Sequence, residues 1–110
     1  MSHDRTNRWR TVPQEVVLDY VVREVDRYGG VSKVILFGSR ARGDARPFSD
    51  YDLAVRLEPT TSKIGWLAFA ERLDDEAPTL CRLSLVELRP SLRPELLSNI
   101  EREGTVLYER

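Results

Sequence analysis

The sequence predicts an α/β domain built from a small mixed sheet flanked by helices. Segments with apolar residues at helical spacing alternate along the chain with short runs rich in β-branched residues, which is the pattern of strands joined through helices. The chain has 110 residues, 41% of them hydrophobic and 32% charged. It is therefore long enough to bury one core and too short for two domains.

The first half of the chain predicts a helix followed by two strands. Residues 1–12 are polar and predict a flexible N-terminal arm, so the folded domain is expected over 13–110. Pro13 suits the first turn of a helix, and Gly29 suits its end. The elements expected after this helix are a strand over Lys33–Phe37, a short helix over Ser39–Gly43, a loop over Asp44–Ser49 and a strand over Tyr51–Leu57.

The second half predicts two further helices and two strands. Trp66, Phe69 and Leu73 share one face of an amphipathic helix over Lys63–Asp75, and this aromatic stripe is expected in the core. The elements expected after it are a third strand over Leu80–Leu88, a helix from Pro94 to Gly104 and an edge strand over Thr105–Tyr108.

Charge and composition exclude several classes of function. Seventeen basic and eighteen acidic residues give a net charge of -1, which argues against a general nucleic-acid binder. The single Cys81 cannot form an internal disulfide and indicates a reducing compartment. Because no apolar run approaches the length of a membrane span and the N-terminus is polar, a cytoplasmic protein is expected.

The most informative motif is Gly38-Ser39, followed ten residues later by Asp50-Tyr51-Asp52. Residues two apart in a strand share a face, so Asp50 and Asp52 are expected side by side. Two such carboxylates repel each other unless a cation lies between them. Mg²⁺ is the obvious candidate, and its remaining ligands are commonly substrate phosphates. The motif therefore predicts a metal-dependent nucleotide site.

The turn supplies candidate phosphate ligands. Ser39 and the backbone N–H groups after Gly38 could cradle the β- and γ-phosphates; a plain strand-to-helix turn is the alternative, and the Asp pair favours the ligand interpretation. Arg40 could pair with the triphosphate. For Arg42 a structural ion pair is the favoured interpretation, and Ser49 is expected to cap the turn before Asp50.

The stretches Leu36–Gly43 and Ser49–Val55 resemble the minimal nucleotidyltransferases, small relatives of DNA polymerase β. The resemblance covers nearly the whole chain and implies Mg²⁺-dependent transfer of a nucleoside monophosphate, usually AMP from ATP, to a hydroxyl. It implies that Asp50 and Asp52 are catalytic metal ligands. It also implies that the Gly38-Ser39 turn binds the nucleotide.

The sequence departs from this family at the third strand, where the family places a third carboxylate that acts as base. The aligned residue is Ser84, which strand parity puts on the face opposite the apolar Leu83 and Leu85. A hydroxyl of ordinary acidity cannot replace a carboxylate as base. Four explanations stay open: a slow enzyme, a domain that binds without catalysing, an introduced substitution, or an acid that takes the place of the missing one. The candidates for that acid are Glu87, Asp74 and Asp75.

Three functions are compatible with the resemblance. The first is an antitoxin like that of the toxin–antitoxin pairs formed by a minimal nucleotidyltransferase (MNT) and a HEPN-domain protein. Such an antitoxin binds the helical HEPN-domain toxin and adenylylates it with ATP. The second is an inactive or catalytically weak antitoxin that neutralises the same partner by binding alone. The third is transfer to a small molecule such as an aminoglycoside; it is less favoured, because such enzymes usually carry an added substrate domain.

Overall fold

The computed structural model describes residues 12–110 and contains a four-stranded sheet with helices on both faces. The expectation of a flexible arm falls, apart from residue 12, outside the described residues. The elements in chain order are α1 (Gln14–Tyr28), β1 (Val31–Phe37), α2 (Ser39–Arg42), β2 (Tyr51–Leu57), α3 (Lys63–Asp75), β3 (Leu83–Glu87), α4 (Pro94–Glu103) and β4 (Thr105–Glu109).

The sheet is mixed, as the sequence predicts. Its strand order is β3-β2-β1-β4. The central strand β1 is antiparallel to β2 and to β4, whereas β2 and β3 are parallel. A parallel pair needs a crossover connection, and α3 provides it.

One face of the sheet, here called the core face, packs against α1 and α3. Trp66 and Phe69 of α3 are buried there, which confirms that the aromatic stripe belongs to the core. The Tyr20 hydroxyl of α1 donates a hydrogen bond of 2.8 Å to the carbonyl of Leu73, so the two helices are joined by a buried polar contact as well as by apolar packing. Tyr28 stacks on Phe69 with ring centroids 4.2 Å apart.

The opposite face is here called the open face, because within residues 12–110 α4 is the only helix that packs against it. Ile100 of α4 is 2% exposed and packs with Phe37 and Ala54 in a small second cluster. A short helix cannot cover a sheet face of four strands, so both ends of this face stay accessible. The predicted acidic site lies at one of them.

The third strand is shorter than the predicted Leu80–Leu88. Cys81 N donates to the Thr79 hydroxyl at 3.0 Å, so the backbone forms a local turn here before the strand begins. Pairing with β2 begins where Tyr51 N donates to the Arg82 carbonyl at 2.9 Å. The prediction of strand structure from Leu80 was therefore wrong, because side-chain hydrogen bonding outweighed an apolar, strand-like composition.

Arg40 makes several contacts that hold the loop between α2 and β2. Arg40 donates to the Ser49 carbonyl at 2.9 Å and to the Pro47 carbonyl at 3.3 Å. Its guanidinium also lies over the Tyr51 ring, 4.2 Å from the centroid. The Ser49 hydroxyl accepts from Arg46 N at 2.8 Å, which confirms the predicted capping role of Ser49. These contacts fix the segment that leads into Asp50.

We expect Arg40→Leu to lower the free energy of unfolding by about 2 kcal/mol, because it removes two carbonyl contacts and a cation–π contact. Amide hydrogen exchange in residues 44–50 should accelerate. Urea denaturation and exchange mass spectrometry measure the two effects. Arg42→Leu is the matched control, since it removes only exposed ion pairs of Arg42, and such pairs contribute little to stability. Equal effects of the two changes on loop exchange would contradict this role of Arg40.

Candidate functional site

The site is built where β1 ends against β2. Phe37, the last residue of β1, pairs with Asp52 of β2, and the chain then turns at Gly38 with φ of 73°. A Cβ on Gly38 would overlap Oδ2 of Asp52. Glycine is required here for two reasons, the positive φ and the close approach of a carboxylate to the backbone.

The turn presents backbone donors next to this carboxylate. The first hydrogen bonds of α2 are made by Ala41 N and Arg42 N, which both donate to the Gly38 carbonyl at 3.1 and 3.0 Å. The N–H groups of Ser39 and Arg40 precede these bonds, and a helix leaves such first amides without an intrahelical acceptor. The predicted Gly38-Ser39 phosphate turn and Asp52 are thus neighbours.

The two acids differ in their surroundings. Asp50 is exposed and lies just before β2, whereas Asp52 is half-buried within the strand. Burial raises the pKa of the Asp52 carboxyl above its ordinary value of 3.8, and the negative charge of Asp50 raises this pKa further. The pair therefore carries an electrostatic penalty that a cation between the two carboxylates would relieve.

The arginines of α2 diverge. Residues two apart in a helix point about 200° apart, and Arg40 turns to Tyr51, a buried residue of the core face. Arg42 instead acts on Asp52 at the open face, where its positive charge opposes the rise in the Asp52 pKa. It also pairs with Asp44 at 3.3 Å and Glu103 at 3.1 Å.

The structural ion pair predicted for Arg42 is confirmed. The effect of Arg42 on Asp52 was not predicted from the sequence. The spacing of Arg40 and Arg42 in a helix could have indicated it, because it places the two side chains on different faces. The prediction that Arg40 contacts the triphosphate is not supported. Its guanidinium donates to loop carbonyls on the other face and does not lie with Asp50 and Asp52.

Ser84 lies where the parity argument placed it. It is the cross-strand neighbour of Asp52 in the parallel β2–β3 pair. Glu87 has the opposite parity and pairs with Lys63 of α3 on the core face. Asp74 Oδ1 accepts a hydrogen bond from Leu83 N at 2.7 Å, so this acid is engaged in holding the start of β3.

No third acid therefore completes the site. Within residues 12–110 no group of three His, Cys, Asp or Glu side chains is arranged to hold a metal ion. The described site consists of two carboxylates, a serine and the glycine turn. It can bind a cation together with a ligand that brings its own anionic oxygens, because Mg²⁺ commonly combines one or two carboxylates with substrate phosphates.

None of the helices in the described part of the chain is long and apolar enough to cross a membrane.

A sequence search of curated proteins gives no significant match. Comparison with solved structures gives several. A crystal structure of a toxin–antitoxin complex with AMP-PNP superposes with a TM-score of 0.67 at 23% identity, over 84% of this chain and 73% of that chain.

Two further structures extend this similarity. One is a tri-AMPylated HEPN toxin from Shewanella oneidensis in complex with an MNT antitoxin, with a TM-score of 0.65 at 21% identity over 89% of this chain and 74% of that chain. The other is described as a minimal nucleotidyltransferase and is 30% identical, with a TM-score of 0.62 over 80% of this chain and 86% of that chain.

The family model for polymerase beta nucleotidyltransferases matches residues 21–110. These residues include the glycine turn, both acids and all four strands. The chain therefore belongs to the polymerase beta nucleotidyltransferase family.

Proposed function

We propose that this protein is a nucleotidyltransferase-type antitoxin that binds Mg²⁺–ATP at the end of the open face and transfers AMP to a hydroxyl of a protein partner. The observation that carries the proposal is the juxtaposition at Asp52. This half-buried carboxylate lies against the Gly38 turn and within the field of Asp50. The partner inferred is a helical HEPN-domain toxin, and the supporting finding is that several structural neighbours come from toxin–antitoxin complexes.

The residues present fit the metal. Both acids offer hard oxygen ligands, their mutual repulsion favours a cation, and the missing Cβ of Gly38 leaves one oxygen of Asp52 beside the phosphate turn. Asp50 and Asp52 would hold Mg²⁺, which neutralises the charge of the phosphates and of the leaving pyrophosphate. Ser39 and the first amides of α2 would orient the phosphates, and the Arg42 guanidinium would add positive charge on the same side.

Nucleotide binding should require the cation and both acids. Asp50→Asn and Asp52→Asn should each weaken ATP binding in the presence of Mg²⁺ by tenfold or more, because each removes an anionic ligand of the ion. Isothermal calorimetry with and without EDTA measures this. Glu71→Gln is the control, since Glu71 is an exposed acid of α3 that was not a candidate for the site, and this variant should bind like the unchanged protein. Equal ATP affinity with and without EDTA would contradict the site.

The titration of Asp52 tests the electrostatics without any reaction. Asp50→Asn should lower the Asp52 pKa because it removes a repelling charge, whereas Arg42→Gln should raise it because it removes an opposing one. Saturating Mg²⁺ should lower it in the unchanged protein. Carbon-13 NMR of the carboxyl groups follows each change.

The raised pKa of Asp52 also determines the direction in which the stability of the fold changes with pH. A raised pKa in the folded state means that the native protein holds this proton more tightly than the unfolded chain does. The stabilisation is therefore present at acidic pH and is lost as pH rises through the raised pKa of Asp52. In Asp52→Asn this loss should disappear from the denaturation curves. Persistence of the full loss in that variant would assign it to another group.

A second function, neutralisation of the partner by binding alone, is favoured by Ser84. This residue occupies the strand position beside Asp52, and a hydroxyl is a poor general base. Of the three acids considered for this role, Glu87 is engaged with Lys63 and Asp74 with the start of β3. Asp75 is exposed at the end of α3, and no third acid joins the pair within residues 12–110. The two candidates differ in one measurable quantity, the rate of AMP transfer.

Introducing the missing acid separates these two functions. Ser84→Asp should raise the rate of AMP transfer by up to about a hundredfold, because it supplies a base beside Asp52. The assay uses ATP labelled at the α-phosphate with a co-expressed HEPN-domain partner and follows label on the protein. Glu87→Gln is the control and should leave the rate unchanged.

The outcomes of this assay differ for each candidate. Loss of transfer in Glu87→Gln with no gain in Ser84→Asp would identify Glu87 as the functional acid and contradict the strand assignment. Absence of transfer in every variant, with the partner still neutralised, would select binding alone.

A further inference from the structure

The open face of the sheet carries a second concavity, away from the acids. Beside α4 the structure has a cavity of about 430 Å³. Its apolar walls come from β1, from the segment that follows β3 and from α4, with Ile35, Leu88, Leu97 and Ile100 as the aliphatic side chains that line it. Ile100 is almost fully buried, and Leu88 and Leu97 are half-buried. This cavity, here called the α4 cavity, has an aliphatic floor without an aromatic lining residue.

The rim of the α4 cavity is positively charged. Lys33, Arg56 and Arg89 line it together with one acid, Glu101. Lys33 pairs with Glu109 at 3.5 Å. Arg56 and Arg89 are exposed, and neither has an ion pair with another residue of 12–110. In a chain with a net charge of -1, this local excess of cations favours an anionic ligand.

The α4 cavity and the acidic site lie at opposite ends of the same face. Lys33 precedes Phe37 by four residues in β1, and Arg56 follows Asp52 by four residues in β2. At about 3.3 Å per residue these positions are roughly 13 Å apart along the strands. A ligand of modest size in the α4 cavity would therefore leave the acids accessible, and its binding would need neither nucleotide nor metal.

We propose that the α4 cavity binds a small organic anion, an aliphatic or other apolar body that carries a carboxylate, sulfonate or phosphate group. The volume lies within the range of small-molecule pockets, about 300–1,000 Å³. A stable protein interface would instead need about 800 Å² from each partner. The apolar body would rest on Leu88, Leu97 and Ile100, and the anionic group would face Arg56 and Arg89. This inference goes beyond the proposed transferase activity and does not depend on it.

The test uses two dyes with the same apolar body. The probe is 8-anilinonaphthalene-1-sulfonate, an apolar anion, and its uncharged counterpart is N-phenyl-1-naphthylamine. Both are titrated by fluorescence into the full chain in EDTA without nucleotide, and chemical-shift mapping by NMR locates the bound sulfonate. The variant is Arg56→Ser with Arg89→Ser. The matched control is Arg23→Ser with Arg27→Ser, two exposed arginines of α1.

We expect the sulfonate to perturb Leu88, Leu97 and Ile100 and to bind at least tenfold more weakly to the Arg56 and Arg89 variant than to the control. Raising the salt concentration from 0.05 to 0.5 M should weaken the sulfonate and not the uncharged dye. Equal affinity of the sulfonate for both variants, or shifts confined to other residues, would overturn the proposal. So would association of two copies that depends on Arg56 and Arg89, since this would assign the face to a protein interface.

Discussion

The site depends on one steric constraint, the close approach of the Asp52 carboxylate to the backbone at Gly38. The antiparallel register pairs Phe37 with Asp52, so the residue after Phe37 must turn away directly over a charged side chain. Only glycine accommodates both the carboxylate and the positive φ. The phosphate turn and the Asp52 carboxylate are therefore positioned by the same contact.

Much of this arrangement could be predicted from the sequence. The alternation of periodic segments gave the order of helices and strands, and strand parity placed Ser84 next to Asp52, as the β2–β3 register confirms. Side-chain direction in α2 was harder to predict, because the partners of Arg40 are carbonyl groups at Pro47 and Ser49. The amino-acid composition does not indicate which backbone carbonyls of a loop will accept such hydrogen bonds. The start of β3 was predicted too early for a similar reason, since a threonine hydroxyl closes the turn before the strand.

The two arginines of α2 show how one helical turn can serve both faces of a sheet. Arg40 joins the acid loop to Tyr51 in the core, and Arg42 joins the same turn to Glu103 at the end of α4. The short helix between the two acid-bearing segments is thereby anchored by packing on one face and by an ion pair on the other. The Arg42–Glu103 ion pair ties α4 to the turn at the acidic site, while other residues of α4 form a wall of the α4 cavity.

The strand order also has a consequence for how the chain folds. The glycine turn and both acids lie within a single antiparallel pair, β1 and β2, which closes over a short stretch of chain. Ser84 joins this pair only after α3 has crossed over, and β4 returns to β1 from the far end of the sequence. Contacts of short sequence separation form at a lower entropic cost. The two acids and the glycine turn therefore come together at a lower entropic cost than Ser84 does. The third position lies on an edge strand, so a change of residue 84 leaves the β1–β2 pairing that carries the two acids untouched.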